Sequence, residues 1–177
     1  MRAVILAAGA AVLLAGGATA TARAPGPSAN LCTPIERVAY ACTAGAKLVS
    51  LCALGDGLTY RYGKPGKPEL SYPAAGAAAR TAFRFSSTAY SGGGEARVRF
   101  TNGGYEYVLY TALIARGWNA DGTRDGGTYD GVLVRKRGRN VANIRCTQGP
   151  DADLYGLGDM LTREAFDYDV EIGRPGD

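Results

Sequence analysis

The sequence predicts a mostly antiparallel all-β protein that is exported from the cytosol and folds as a small eight-stranded barrel or sandwich with a short C-terminal helix. Three observations support this prediction. Short segments in which polar and apolar residues alternate recur along the chain, and turn residues separate them. The 177 residues include 26 glycines and 11 tyrosines, a composition typical of short strands joined by tight turns. The first residues also have the form of a secretory signal.

The N-terminus has the three parts of a signal peptide. Arg2 supplies the positive charge, residues 3–18 are small and apolar, and the cleavage spacing Ala-x-Ala occurs twice, over Ala18, Ala20 and Ala22. The apolar run is shorter than the ~20 residues that a membrane-spanning helix needs. We therefore expect a periplasmic or secreted protein that has no stable membrane span after the signal is removed.

Composition divides the chain into four parts. They are the signal peptide, residues 1–22; a flexible leader rich in Pro, Gly and Ser, 23–30; the β-barrel or sandwich domain, 31–149; and an acidic C-terminal tail, 150–177. The short helix, of one or two turns, is predicted within residues 154–166 of the tail, where Gly156 and Gly158 weaken its start.

Charge differs between the body and the tail. From residue 23 to residue 150 there are 17 lysines and arginines against eight acids, whereas from 151 to 177 there are two arginines against eight acids. We expect the tail to pack across the basic body and neutralise it. The alternative is that the body presents a basic face to an anionic envelope partner, such as lipopolysaccharide, teichoic acid or an acidic protein.

The strands are predicted from alternation and from the turn residues between them. The eight segments are 37–42, 47–52, 58–62, 81–85, 95–100, 105–110, 128–134 and 140–146, and 69–72 is a short further piece that ends at Pro73. Charged residues at 95, 97 and 99 alternate with apolar ones, which predicts a solvated outer face for that strand. Asn102-Gly103 is the strongest hairpin signal. Consecutive antiparallel strands hide their edges by closing into a barrel or by forming a sandwich.

The chain has four cysteines, Cys32, Cys42, Cys52 and Cys146. In an oxidising compartment they should pair, but four cysteines allow three connectivities and the sequence does not choose among them. We favour Cys42 with Cys146 and Cys32 with Cys52; the first would close a loop of roughly 100 residues and contribute about 4 kcal/mol in the chain-entropy model. Zinc is the competing use, but the chain lacks both Cys-x-x-Cys and histidine.

We assign no catalytic residue. Without histidine, the Ser-His-Asp and Cys-His arrangements are absent. Two alternatives remain. A hydrolase acting on an envelope polymer would need two carboxylates across a cleft, and the candidates are Glu69, Glu95, Glu106, Asp125 and Asp130. A Ser–Lys dyad would combine Lys47 with one of three serines, Ser50, Ser86 or Ser87.

The loop after residue 120 is the one candidate metal site. Asp121, Thr123 and Asp125 stand at positions 1, 3 and 5 of a pattern typical of calcium-binding loops, and Gly126 follows at position 6. Val132 occupies position 12, where such loops have an acid. The alternative is an ordinary polar turn. Calcium is the only cofactor that the sequence suggests.

Tyrosines and arginines interleave along the strands. This composition resembles a surface that binds sugars or nucleic acid, and Arg61-Tyr62 is the most compact example. Export excludes nucleic acid as the natural partner, so we expect an envelope glycan or an envelope protein.

Segments 42–52, 58–63 and 68–70, with the later pieces 105–107 and 131–134, resemble a family of secreted proteobacterial proteins of no known activity. The resemblance extends over about residues 31–146. It implies a small periplasmic β domain.

A looser similarity is to the periplasmic inhibitors of c-type lysozyme, which are small exported β-barrels. These have a Tyr-x-Cys motif, here Tyr40 and Cys42, bridged to a late cysteine, here Cys146. Their inhibitory loop has a Ser-Gly-x-x-Tyr motif; the nearest match here includes Ser87 and Tyr90 and lacks the glycine. A basic body would also dock poorly on a basic lysozyme.

Three hypotheses follow. The first is a non-enzymatic envelope binding or inhibitor module with an exposed loop that presents Ser87 and Tyr90. The second is a carboxylate-dependent hydrolase with two acids facing each other across a pocket, one of them with a raised pKa. The third is a ligand-carrying barrel with an apolar cavity lined by Tyr and Phe.

Overall fold

The computed structural model describes residues 29–73, 78–148 and 153–172. The predicted signal peptide, most of the leader and both ends of the tail lie outside these ranges. Over the described residues the chain is mostly antiparallel β-structure in two sheets, as the sequence predicts. In the described chain the terminal strands of each sheet do not pair with each other, so the architecture is the sandwich and not the closed barrel.

The first sheet is a meander of four strands that pair in sequence order. They are β1 (Arg37–Ala44), β2 (Lys47–Leu54), β3 (Gly57–Lys64) and β4 (Lys67–Tyr72). The second sheet has six strands, β5 (Arg84–Tyr90), β6 (Gly93–Asn102), β7 (Tyr105–Trp118), β8 (Arg124–Lys136), β9 (Arg139–Arg145) and β10 (Thr162–Arg163). Strands β5 to β9 form a second meander, and β10 pairs with β5 in parallel.

The hairpin predicted at Asn102-Gly103 is present, with its turn shifted by one residue. Asn102 pairs with Tyr105, so the two turn residues are Gly103 and Gly104, with φ of 58° and 77°. Positive φ at both central positions defines the type I′ turn, whose twist matches that of the flanking strands. The glycines therefore fix the register of the whole β6–β7 pair.

The C-terminal helix of one or two turns, predicted within residues 154–166, is present as one short turn. A single 3-10 turn at Tyr155–Leu157 is followed by β10. Leu154, Leu157 and Leu161 are all buried in the core, which anchors this segment through apolar contacts. Within the described ranges, every helical segment falls short of the length and apolarity of a membrane span.

The segment predicted as a strand over 81–85 is also different. Residues Ala79–Ala82 form the short helix α1, and β5 begins only at Arg84 and continues to Tyr90. Alanine favours helix, and Phe83 then enters the core with its side chain fully buried. The strand signal was therefore displaced by about three residues.

The core between the sheets is filled by aromatic rings in mutual contact. Phe100 stacks on Tyr72 at 4.5 Å and on Tyr107 at 4.8 Å, and it packs against Tyr60 at 4.9 Å and Phe83 at 5.5 Å between ring centroids. Each such pair contributes about 1 kcal/mol beyond the burial of area. Rings therefore occupy the space where the ligand-carrier hypothesis places a cavity.

A short N-terminal segment covers the outer face of the first sheet. We call residues 29–36 the N-terminal strap. The Leu31 amide donates to the Ser50 hydroxyl at 3.0 Å, and Cys32 forms a disulfide with Cys52. Leu31 is buried, so the strap excludes water from this face.

A C-terminal segment covers the outer face of the second sheet in the same way. We call residues 164–172 the C-terminal strap. Val170 and Ile172 are buried against a second apolar cluster that includes Val108, Tyr110 and Leu133. The expectation that the acidic tail packs across the body agrees with this arrangement. The solvated outer face predicted for residues 95–99 is wrong, because the strap covers it.

Candidate functional site

The structure places Ser87 and Tyr90 on strand β5 and not in a loop. Ser87 pairs with Ala96 and Tyr90 with Gly93 in an unbroken antiparallel register. Both side chains are exposed. Because successive strand residues point to opposite faces, two residues three apart cannot share one. The expected inhibitory loop is therefore wrong, and this segment presents the two residues in opposite directions.

Arg61 and Tyr62 are likewise on opposite faces, of β3. The Arg61 guanidinium faces outward and forms a two-pronged ion pair with Glu36 of the N-terminal strap, with N–O distances of 2.7 and 2.9 Å. Tyr62 faces inward, packs against the core, and has the Lys47 ammonium 5.0 Å from its ring centroid. Arg61 thus holds the strap, and the two residues form no joint surface.

The ion pair strongly affects the Glu36 carboxyl. The hydrogen bonds from Arg61 lower the pKa of Glu36 from its ordinary 4.5 to about 2, and hydrogen bonds from Thr33 act in the same direction. Burial opposes them. This carboxylate is therefore charged throughout the physiological range.

The candidate calcium loop is organised as a capped turn. Asp121 Oδ1 accepts hydrogen bonds from the amide and the hydroxyl of Thr123, at 2.9 and 2.6 Å. These bonds lower the pKa of Asp121. Asp125 lies on β8, opposite Gly117 in β7. Over the described residues, no group of three or more His, Cys, Asp or Glu could hold a metal ion. The bonds shown are those of a turn stabilised by an aspartate.

Glu69, Glu95 and Glu106 of the candidate carboxylates are held in ion pairs. Glu69 pairs with Lys47 at 2.6 Å. Glu95 pairs with Arg97 at 2.5 Å, and both are buried, with 6% and 5% of their surfaces exposed. Each of these two carboxylates therefore has a basic side chain as its hydrogen-bond partner.

Glu106 bridges two arginines. Its carboxylate oxygens lie 3.2 Å from Arg99 and 2.7 Å from Arg135. The Ser–Lys alternatives lack support from contacts, because the Lys47 ammonium binds Glu69 and the Ser50 hydroxyl accepts from the strap.

Asp130 has a different environment. It is 8% exposed, and its Oδ1 accepts a hydrogen bond from the Thr111 hydroxyl at 2.7 Å. Burial raises the pKa of Asp130, and the bond from Thr111 opposes this. The residue lines a partly open hollow of about 340 Å³, whose other lining residues are Tyr110, Thr128, Tyr129, Arg145, Cys146 and Thr147.

The hollow arises where the chain leaves the second sheet. After β9 ends, the Cys146 amide donates to the Asp130 carbonyl at 2.9 Å, and Cys146 forms its disulfide with Cys42 of β1. The two disulfides, Cys32–Cys52 and Cys42–Cys146, have the connectivity that the sequence analysis favours. Sequence reasoning found Asp130 only as one of five acids, since the hollow depends on this long-range link.

The β8–β9 turn carries a cationic cluster that sequence reasoning treated only as a turn. We call Lys136, Arg137 and Arg139 the basic hairpin; all three are exposed. Arg137 and Arg139 have no acidic partner among the described residues. The Arg135 guanidinium stabilises the turn by donating a hydrogen bond to the Gly138 carbonyl at 2.9 Å. The sequence feature that could have indicated this cluster is the presence of four basic residues within residues 135–139.

The backbone of the basic hairpin is unusual. Lys136 pairs with Arg139, so Arg137 and Gly138 are the two turn residues, with φ of 50° and 76°. This is the geometry of a type I′ turn, which favours Asn or Gly at both positions. Arg137 is the one described residue other than glycine with positive φ.

A second exposed basic turn provides a comparison. Lys64 and Lys67 flank the β3–β4 turn, are exposed, and also lack an acidic partner in the described chain. Their turn has glycine, Gly66, at the position with positive φ.

Comparison with known proteins identifies no relative of this chain. No family model, curated protein or solved structure matches it.

Proposed function

We propose that this protein is an exported, disulfide-stabilised module of the cell envelope that binds an anionic envelope polymer through the basic hairpin and performs no chemistry itself. The two disulfides are compatible with export, because disulfides persist in oxidising compartments. The observation that carries the proposal is the exposed arginine at a strained turn position, described above.

The strain at Arg137 supports a binding role. A left-handed conformation costs an L-residue about 1–2 kcal/mol relative to glycine. Strain of this kind clusters at functional sites. Arg137 therefore costs stability, and its guanidinium gains no acidic partner within the described chain in return.

The chemistry of the cluster fits a phosphate-bearing polymer. A guanidinium presents paired N–H donors that match the geometry of a phosphate group. Arg137 and Arg139 lie two residues apart across a tight turn, with Lys136 beside them as a third charge. Lipopolysaccharide and teichoic acid both present closely spaced phosphates, and a cluster of this size can contact more than one of them.

The experiment compares two double variants that remove the same charge. Arg137→Asn/Arg139→Gln removes the two arginine charges of the basic hairpin, and Lys64→Gln/Lys67→Gln removes the two lysine charges of the control turn. We expect the first to weaken binding to lipopolysaccharide or teichoic acid at least tenfold in a titration, about 1.4 kcal/mol, and the second to change it less than twofold. Equal losses in both variants, or no binding by the unmodified chain, would overturn the proposal.

Two further arms test the sequence hypotheses. The same titration with and without calcium tests a role for Asp121, Thr123 and Asp125. A c-type lysozyme assay tests the inhibitor alternative, and inhibition that survives in Arg137→Asn/Arg139→Gln would favour a protein partner over the polymer.

One observation favours the hydrolase alternative as a second candidate. Asp130 combines burial, a raised pKa and a hollow, which are attributes of a general acid. A glycosidase needs a second carboxylate; among the described residues Asp130 is the one carboxylate that lines the hollow, and the nearby Asp153 carboxylate adds to the rise of its pKa. Release of reducing ends from envelope polymers, abolished in Asp130→Asn, would establish this candidate in place of the binding module.

A further inference from the structure

The C-terminal strap is held mainly through its backbone. Arg97 donates from Nη1 to the carbonyl of Asp167 and from Nη2 to the carbonyl of Val170, each at 2.7 Å. Near the end of the strap, Asn140 donates to the carbonyl of Glu171 at 3.0 Å and Asn143 donates to that of Ile172 at 2.5 Å. Every peptide has such carbonyls, so these four bonds would hold any chain of the same path.

Side-chain contacts add specificity at the two ends of the strap. At its start, Glu164 forms a two-pronged ion pair with Arg99. At its end, Val170 and Ile172, with 3% and 7% of their surfaces exposed, enter the apolar cluster of the second sheet. Proteins commonly bind extended peptides in this way: hydrogen bonds form to the peptide backbone, and alternate side chains of the peptide enter pockets.

We propose that the outer face of the second sheet is a binding groove for an extended peptide of a partner protein, and that the C-terminal strap occupies this groove in the free molecule. The peptide that fits has an acid at its start and two β-branched apolar residues, two apart, at its end. This inference is independent of the basic hairpin and of the anionic polymer.

The strap is attached so that it can leave. It has no disulfide, and its one backbone hydrogen bond to the strands of the sheet that the structure describes is at its start, where the Glu164 amide donates to the Phe85 carbonyl at 2.8 Å; residues 165–172 are in no strand. A tethered segment competes at an effective concentration of the order of millimolar. A partner therefore displaces it only when its own contacts are better or when the strap is weakened.

The test uses full-length protein and a labelled synthetic peptide with the sequence of residues 163–172. Val170→Asp/Ile172→Asp removes the two apolar anchors of the strap and leaves the groove unchanged. We expect this variant to bind the peptide at least tenfold more tightly than the unmodified chain, by fluorescence anisotropy. If its circular dichroism shows lost strand structure, the milder Val170→Ala/Ile172→Ala replaces it.

A charge exchange separates recognition from general stability. With the strap weakened as above, Arg99→Glu should reduce peptide binding at least tenfold. A second peptide, in which the residue equivalent to Glu164 is arginine, should restore binding to the Arg99→Glu variant and bind poorly to the variant with Arg99. A loss that the second peptide does not rescue would overturn the assignment of Arg99.

Two outcomes would overturn the groove itself. One is a folded, strap-weakened variant with both disulfides that binds the peptide no better than the unmodified chain. The other is dimerisation of that variant in analytical ultracentrifugation at the concentrations of the assay, because the occupant would then be the strap of a second copy.

Discussion

The two straps solve the same problem with different chemistry. Each covers the outer face of one sheet and protects polar side chains beneath it. The N-terminal strap is fixed covalently by Cys32–Cys52 and by the ion pair between Glu36 and Arg61. The C-terminal strap is held by non-covalent contacts: hydrogen bonds, the ion pair between Glu164 and Arg99, two apolar anchors, and the Arg97 guanidinium 4.2 Å from the centroid of the Phe166 ring. The N-terminal strap therefore stays attached to its sheet as long as the disulfide is intact. The C-terminal strap is in equilibrium between a bound and a dissociated state, because its contacts are non-covalent.

The largest expected loss of stability comes from replacing Arg97, which lies beneath the C-terminal strap. Arg97→Leu removes the two bonds to the strap and leaves Glu95 buried without its partner. Breaking a buried ion pair in this way costs about 3–5 kcal/mol. Urea denaturation should show this loss, and the double variant Glu95→Leu/Arg97→Leu should recover most of it. A loss below 1 kcal/mol in the single variant would mean that the strap contributes little to folding.

The next largest loss of stability comes from removing the disulfide that holds the N-terminal strap. Cys32→Ala/Cys52→Ala opens a loop with a sequence separation of 20 residues, which should cost about 3 kcal/mol in the free energy of unfolding. Hydrogen exchange should rise at the amides of residues 29–36 and leave the C-terminal strap unchanged. Increased exchange in both straps would show that the two covers are coupled.

Low pH should weaken the N-terminal strap through its ion pair between Glu36 and Arg61. The pKa of Glu36 is lower in the folded chain, so its ion pair adds stability that is fully present above its ordinary pKa of 4.5 and is lost as the pH falls towards about 2. We expect exchange at the Thr33 amide, which donates to Glu36, to increase in this window. Glu36→Gln should remove that pH dependence, and an unchanged profile would contradict the assignment.

The smallest effect concerns the start of the C-terminal strap. Arg99 is more than one-third exposed, so solvent screens its pair with Glu164. Arg99→Gln should reduce stability by about 0.5 kcal/mol, yet it should change peptide binding measurably. A stability loss as large as that of Arg97→Leu would contradict the division between folding and recognition within this strap.

The sequence predicted the fold class and the positions of most strands, because alternation and turn residues are local signals. The β6–β7 hairpin is an example, since the type I′ geometry at Gly103 and Gly104 depends on the turn residues themselves and lies one residue from the predicted Asn102-Gly103. Alternation also assigned residues 95, 97 and 99 correctly to one face. It could not predict that this face is covered, because the cover lies some 70 residues further along the chain.

The candidate site was less predictable for the same reason. Ser87 and Tyr90 were expected in a loop on the basis of a partial motif, whereas pairing with β6 makes them part of a strand. The hollow beside Asp130 depends on the link from Cys146 to Cys42, and no local pattern marks it. The basic hairpin was visible in composition, but the left-handed conformation of Arg137 depends on the register of β8 with β9.

The bond between Cys42 and Cys146 spans 104 residues and encloses most of both sheets in one covalent ring. A protease that cuts once inside the ring leaves the two fragments joined until a reductant is added. A cut between residues 33 and 51 likewise leaves the N-terminal strap tethered through Cys32. A single cut between residues 147 and 163 has no such tether, so the C-terminal strap would then be held by its non-covalent contacts alone.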